Sequence, residues 1–152
     1  MVYNRGVHVQ LNQATDYAFR LILHLAMLSE GEIANGNAIS EQENIPSRFL
    51  LKIVRYLTKA GIVKSYRGID GGFALAQSPN DITLLDVIKA MEGPVAIHRC
   101  LEDREACSKQ CTEECPVHEA LGSIQARMVE GLAQVNFGYL ADKYRSRRGK
   151  NG

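Results

Sequence analysis

Ile45-Pro46-Ser47-Arg48-Phe49-Leu50-Leu51-Lys52-Ile53-Val54-Arg55-Tyr56-Leu57-Thr58-Lys59-Ala60-Gly61 runs directly into Ile62-Val63-Lys64-Ser65-Tyr66, then Arg67-Gly68-Ile69-Asp70-Gly71-Gly72, then Phe73-Ala74-Leu75-Ala76. Pro46 and Ser47 suit the first turn of a helix. Within that helix Phe49, Ile53, Tyr56 and Leu57 form one stripe, with Leu50 and Val54 beside it. Arg48, Lys52, Arg55 and Lys59 step by four, three and four and form a second, cationic stripe. Ala60-Gly61 stops the helix. The two short strand-forming runs that follow flank a Gly-rich turn, which predicts a hairpin. That turn precedes a strand rather than a helix and lacks a Lys-Ser/Thr pair, so it is not a phosphate-cradling loop.

Upstream, Ala14, Ala18, Leu21, Leu25 and Leu28 recur at three- and four-residue intervals, predicting a buried helix over Asn12 to Ser29, stopped by Gly31. An Asn35-Gly36-Asn37 turn leads to a short helix over about Ala38 to Glu43. Helix, short helix, helix and hairpin is the order of a winged helix-turn-helix, here spanning 9–80, in a chain that is otherwise mainly α with only this small two-stranded wing. Between Pro46 and Gly68 lie Arg48, Lys52, Arg55, Lys59, Lys64 and Arg67 with no acid, a stretch of +6. Cations neutralise phosphates and release counterions, so the expected partner is double-stranded DNA. Ser47, Arg48 and Lys52, near the helix start, are placed to read bases. Arg67 at the wing tip, beside glycine, can approach a groove of negative potential. Arg55, Ser65 and Gly68 complete the candidate DNA-binding set.

A chain of 152 residues, 45% hydrophobic, can bury one compact core with an appended arm. Its net charge of +1 conceals strong segregation. Glu102 to Glu119 holds six acids against Arg104 and Lys109, a sum of −4, and the end turns basic through Lys143, Arg145, Arg147, Arg148 and Lys150. No apolar run is long enough to span a bilayer, and Met1 to Leu11 shows no secretory leader, so a cytoplasmic protein is expected. His8, His24, His98 and His118 are scattered and pair with no recognisable nucleophile, so an enzyme is not expected.

After Pro79, a helix start at Asp81-Ile82-Thr83 predicts a helix to about Met91, broken by Gly93-Pro94 and forming a connecting segment over 81–97. All four cysteines then fall in the loop 98–118, spaced Cys100-x6-Cys107-x3-Cys111-x3-Cys115-x2-His118. In a reducing compartment such clustering favours a metal or redox site over structural disulfides. Four thiols can hold zinc or an iron–sulfur cluster, and spacing alone does not separate them. Val117, Leu121, Ile124, Met128, Leu132, Val135 and Leu140 then predict one long helix, 116–145, ahead of a disordered basic tail, 146–152.

Leu11-Asn12-Gln13-Ala14-Thr15-Asp16-Tyr17-Ala18-Phe19-Arg20, Ile45 to Ile53, Ala60 to Gly68, Gly71-Gly72 and the cysteine loop together resemble the winged-helix iron–sulfur regulators that include the IscR, NsrR and RirA repressors. The likeness runs from about Val9 to Tyr144. It implies a homodimer joined through the long C-terminal helix that binds a palindromic operator as a repressor of transcription. It further implies one iron–sulfur cluster per subunit, 2Fe–2S or 4Fe–4S, sensing iron, nitric oxide or redox state. The residues matching the family's three cysteine ligands are Cys100, Cys107 and Cys115, with Cys115-Pro116-Val117-His118 resembling the end of the motif. Cys111 departs from the pattern and could replace the middle ligand. The fourth ligand is His118 by analogy with some members, or Asp16 of the partner subunit, with Arg20 near it, by analogy with others. The alternative is a winged-helix regulator that uses zinc or reversible thiol oxidation.

Overall fold

The first helix, α1 (Gln13–Ala26), begins where Asn12 accepts the N–H of Thr15 with its side chain. Its inner face buries Ala18, Leu21, Ile22 and Leu25. The structure, a computed structural model, describes residues 10–150. Val9 at the start of the expected domain, the leader reading over positions 1–9, His8 and the last two residues of the expected tail lie outside the described residues. Asn35 caps α2 (Gly36–Gln42) by accepting the N–H groups of Asn37 and Ala38. The turn into α3 (Ser47–Lys59) is pinned by the Ser40 hydroxyl, which donates to the Ile45 carbonyl.

The inward face of α3 is Leu50, Ile53, Val54 and Leu57. The apolar stripe expected from sequence was therefore centred slightly off: Phe49 is half-buried against Tyr17, and Tyr56 stands 43% exposed. β1 (Val63–Tyr66) and β2 (Gly72–Leu75) pair antiparallel, Val63 opposite Leu75 and Tyr66 opposite Gly72. Ala34 joins the edge of β2, exchanging both backbone hydrogen bonds with Phe73 at 2.9 and 2.8 Å. Glycine at 72 is required by this approach, since a Cβ there would lie 2.1 Å from the Ala34 carbonyl oxygen.

A single 3₁₀ turn, Pro79–Asp81, leads to α4 (Leu84–Glu92), whose start carries a reciprocal capping box between Thr83 and Asp86. The cysteine segment is not all loop: α5 (Arg99–Glu102) and a 3₁₀ turn at Arg104–Ala106 lie within it. Then comes α6 (Pro116–Gln134), with Pro116 at its first turn.

The pattern read as one helix over 116–145 is two. α6 ends at Gln134, and α7 (Phe137–Gly149) starts after Asn136, whose side chain accepts the Tyr139 N–H. Between them the chain is extended and held from outside: Leu84 N–H donates to the Val135 carbonyl at 3.0 Å, and Phe137 N–H to the Ile82 carbonyl at 2.9 Å. These bonds turn α7 back onto α1, burying Phe137 and Ala141. Gly138 lets it lie close, because a Cβ there would fall 1.9 Å from Asn80 Oδ1. The basic stretch expected to be disordered from 146 onward instead continues α7 to Gly149. The core sits between α1, α3, α4 and α7, around Leu21, Ile22, Ile53, Leu57, Ile82, Val87 and Phe137. Among the described residues no helix is long and apolar enough to cross a membrane.

Candidate functional site

α3 presents Ser47, Arg48, Lys52, Arg55 and Lys59 exposed, because Leu50, Ile53, Val54 and Leu57 fix the opposite face inward. The Arg48 guanidinium lies over the Phe49 ring at 5.0 Å, and Ser47 shares a hydrogen bond with Ser40 of α2 at 3.2 Å. Ser65 on β1 and Arg67 at the wing tip are exposed, and Gly68 takes φ +106° in the turn. Ile69, at that same tip, is fully exposed at 101%. None of Arg48, Lys52, Arg55, Lys59, Lys64 or Arg67 forms an ion pair with an acid among the described residues. Elsewhere acids and cations do pair, as Arg20 does with Asp16 at 2.6 Å. Tyr56 and Leu51 belong to the exposed arc of α3 as well; the apolar character that suggested a buried place for Tyr56 concealed this.

The cysteine segment divides into two groups. Cys100, on α5, is buried; His118 Nδ1 lies 3.1 Å from its Sγ and His98 Nδ1 3.2 Å. His118 reaches it because α5 packs against the start of α6. His98 was read from sequence only as a scattered histidine, yet it also caps α5 by accepting the Cys100 N–H. Its position two residues before Cys100 was the available signal. The second group is Cys107, Cys111 and Cys115, each half-buried. The Cys107 thiol is drawn below its usual range, first by the Cys111 backbone N–H and then by that of Lys109. Cys111 is pushed up, first by removal from water and then by the charges of Cys107 and Cys115. Asp16 stands on α1, away from these thiols in sequence and engaged by Arg20.

The donors are right in kind for an iron–sulfur cluster or zinc, being thiols and imidazoles on a short segment. Their arrangement is another matter: among the described residues no three His, Cys, Asp or Glu side chains converge as a metal-holding group.

A recognition helix and wing carrying six cations without an acid partner among the described residues define a winged-helix DNA-binding regulator. The profile of the Rrf2 family, described as an iron-dependent transcriptional regulator, matches residues 11–143. The chain belongs to the Rrf2 family of transcriptional regulators, which bind DNA. It is similar to an HTH-type transcriptional regulator of Synechocystis, slr0846, at 38% identity over 84 residues, covering 55% of this chain and 57% of that one. The match thus spans little more than half of that relative's length. Among solved structures it is similar to CymR, the global cysteine regulator of B. subtilis, at 27% identity and a TM-score of 0.74, covering 90% of this chain and 98% of that one. IscR of T. potens shares the fold at 22% identity and a TM-score of 0.65, covering 91% of this chain and 90% of that one.

Proposed function

We propose that this chain is a homodimeric repressor that binds a palindromic operator and senses iron, nitric oxide or redox state through an iron–sulfur cluster. The proposed ligands are Cys100, Cys107 and Cys115, with His118 as the fourth. The observation that carries the reading is the 3.1 Å approach of His118 Nδ1 to Cys100 Sγ, which joins the first thiol to the histidine at the end of the motif. It favours His118 over Asp16, whose carboxylate is occupied by Arg20 at 2.6 Å. Cys111 is left as an additional thiol.

When bound, such a cluster supplies an oxidisable, nitric-oxide-reactive centre. The chain's own part is mechanical. Glu92, at the end of α4 and a few residues before the cysteines, accepts the Thr15 hydroxyl at 2.6 Å and the Asn12 N–H at 3.4 Å. The end of α4, from which the chain runs on to the cysteine segment, is thereby tied to the start of α1, and Cys100 meets the start of α6 through His118. α6 supports a dimer because none of its 19 residues is buried, while Val117 and Ile124 stand 62% and 48% exposed. Two copies joined there would set the spacing of two α3 helices, which must match half-sites about one helical turn apart.

The test is oxygen-free purification with a visible spectrum and iron and sulfide analysis, on the parent chain and on Cys100→Ala and His118→Ala. A brown parent with near-equal iron and sulfide is expected, with the cluster lost in Cys100→Ala and its spectrum altered in His118→Ala. A colourless protein with stoichiometric zinc would sink the cluster reading and promote the zinc alternative. An unchanged spectrum in His118→Ala would remove that residue as a ligand.

A further inference from the structure

The cationic run near the end of the chain is helix rather than tail, and nothing in the proposed function uses it. Positions 142–150, the last two turns of α7 and the residue that caps them, are exposed throughout. Lys143, Arg145, Arg147, Arg148 and Lys150 fall there against the single acid Asp142. Arg145 is committed to the protein itself. It holds Asp142 at 2.9 Å and donates to the Ala26 and Met27 carbonyls at the end of α1, at 3.3 and 3.4 Å. The other four form no ion pair among the described residues. Lys143 and Arg148 each lie 5.6 Å from the centre of an exposed ring, Tyr139 and Tyr144, which orients the cations without neutralising them. Cations suit a helix C-terminus. Like charges three and four apart nevertheless repel, as Lys143 repels Arg147 and Arg147 repels Lys150. An anion outside the chain relieves that repulsion.

The place of this helix end in the fold identifies the anion. α7 is seated on the 3₁₀ turn Pro79–Asp81, by which the chain leaves β2 and the wing. Ala141, Asp142 and Arg145 then line a cleft of about 710 Å³ that Tyr66, Ala74 and Leu75 of the wing also line. Arg148 continues the face of Ala141 and Arg145 by a further turn. The wing across the cleft carries Lys64 and Arg67, again with no acid partner among the described residues. Glu30 and Glu32 line the cleft between, so phosphates are kept out of the gap and drawn to its cationic edges. We propose that the end of α7 is a second DNA-contacting surface, on which Lys143, Arg147, Arg148 and Lys150 hold backbone phosphates of the duplex flanking the half-site read by α3. One polyanion thereby spans the wing and α7. Such contacts carry no sequence information; they lengthen the footprint and raise affinity whatever the flanking sequence. They need no metal in the cysteine segment.

The test uses the full chain and a duplex that it selects from a random-sequence pool. That duplex is made in two lengths, one cut to the sequence common to the selected molecules and one extended on both sides by about one helical turn. Affinity is measured over a series of salt concentrations for the parent, for the triple variant Arg147→Gln/Arg148→Gln/Lys150→Gln and for Arg67→Ala. Arg145 is left in place because it holds the end of α1, and circular dichroism checks that the triple variant keeps its helix. The parent should bind the extended duplex more tightly and with the steeper salt dependence. The triple variant should lose that advantage: its slope of log affinity against log salt on the extended duplex falls by at least about two, while the short duplex binds as it does to the parent. Arg67→Ala should weaken both lengths alike. Hydroxyl-radical cleavage should show the flanking protection lost in the triple variant alone. A triple variant with the parent's slope and footprint on the extended duplex overturns the proposal and leaves this surface to an acidic protein. Equal weakening on both lengths overturns it as well, since the charges would then act within the half-sites. A chain that takes up no iron can still pass this test, and an iron-loaded chain that fails it keeps its proposed function and loses only this surface.

Discussion

Arg67 projects from the wing tip with no acid paired to it among the described residues, so its charge is available to a phosphate or a narrow groove. Arg67→Ala is expected to weaken binding to specific and unrelated duplexes alike. It should also reduce the slope of log affinity against log salt by about one, measured by fluorescence anisotropy at several salt concentrations. An unchanged slope would place Arg67 off the DNA. Single residues of this kind were legible before the fold was, because an acid-free run of cations needs only the sequence to be seen. The Cys100–His118 contact was legible only in part. The spacing marked both residues, but they are 18 positions apart, and their meeting depends on how α5 packs against α6. His98 offered only its place two residues before Cys100, and the turn from Cys107 to Gln110 offered no signal, since both depend on local backbone geometry.

The helices and the wing follow from their own stretches of sequence; the break between α6 and α7 does not, because partners outside the stretch hold it. Apolar residues continue past it, and only the five-residue step from Val135 to Leu140, with Asn136 between, departs from helical period. Asn136 acts as a cap at that break, accepting the Tyr139 N–H at 2.9 Å. Asn136→Ala is expected to cost about 1 kcal/mol. Phe137, 1% exposed and stacked toward Phe19 at 6.3 Å, anchors α7 to the core. Phe137→Ala should cost about 3–5 kcal/mol, as large-to-small changes in a core do. Chemical denaturation of both variants checks the order. If the two losses were equal, or if Phe137→Ala were nearly neutral, α7 would not be docked through that ring.

At the scale of the whole molecule, the DNA-binding unit buries its core within one chain, while α6 buries no residue at all. A helix of 19 residues is about 28 Å long, and one left half-packed along that length owes its stability to tertiary contacts rather than to propensity. Leu121, Met128 and Leu132 are only partly covered, on the side that meets α4 and α5. Ile124, three after Leu121 and four before Met128, stands nearly half exposed at the open edge of the same stripe. A second copy laid along α6 would cover Ile124 with its own counterpart, because a two-fold interface uses the same patch twice. Ile124→Glu then places two carboxylates in one apolar seam. We expect it to give a monomer by sedimentation at micromolar concentration while the far-ultraviolet circular dichroism stays helical, since the residue touches no core of its own chain. Operator binding should fall much further than the loss of one contact explains, because one α3 can read only one half-site. A dimer that survives Ile124→Glu would show that the copies meet elsewhere, and the spacing of the recognition helices would then have to be set by another surface.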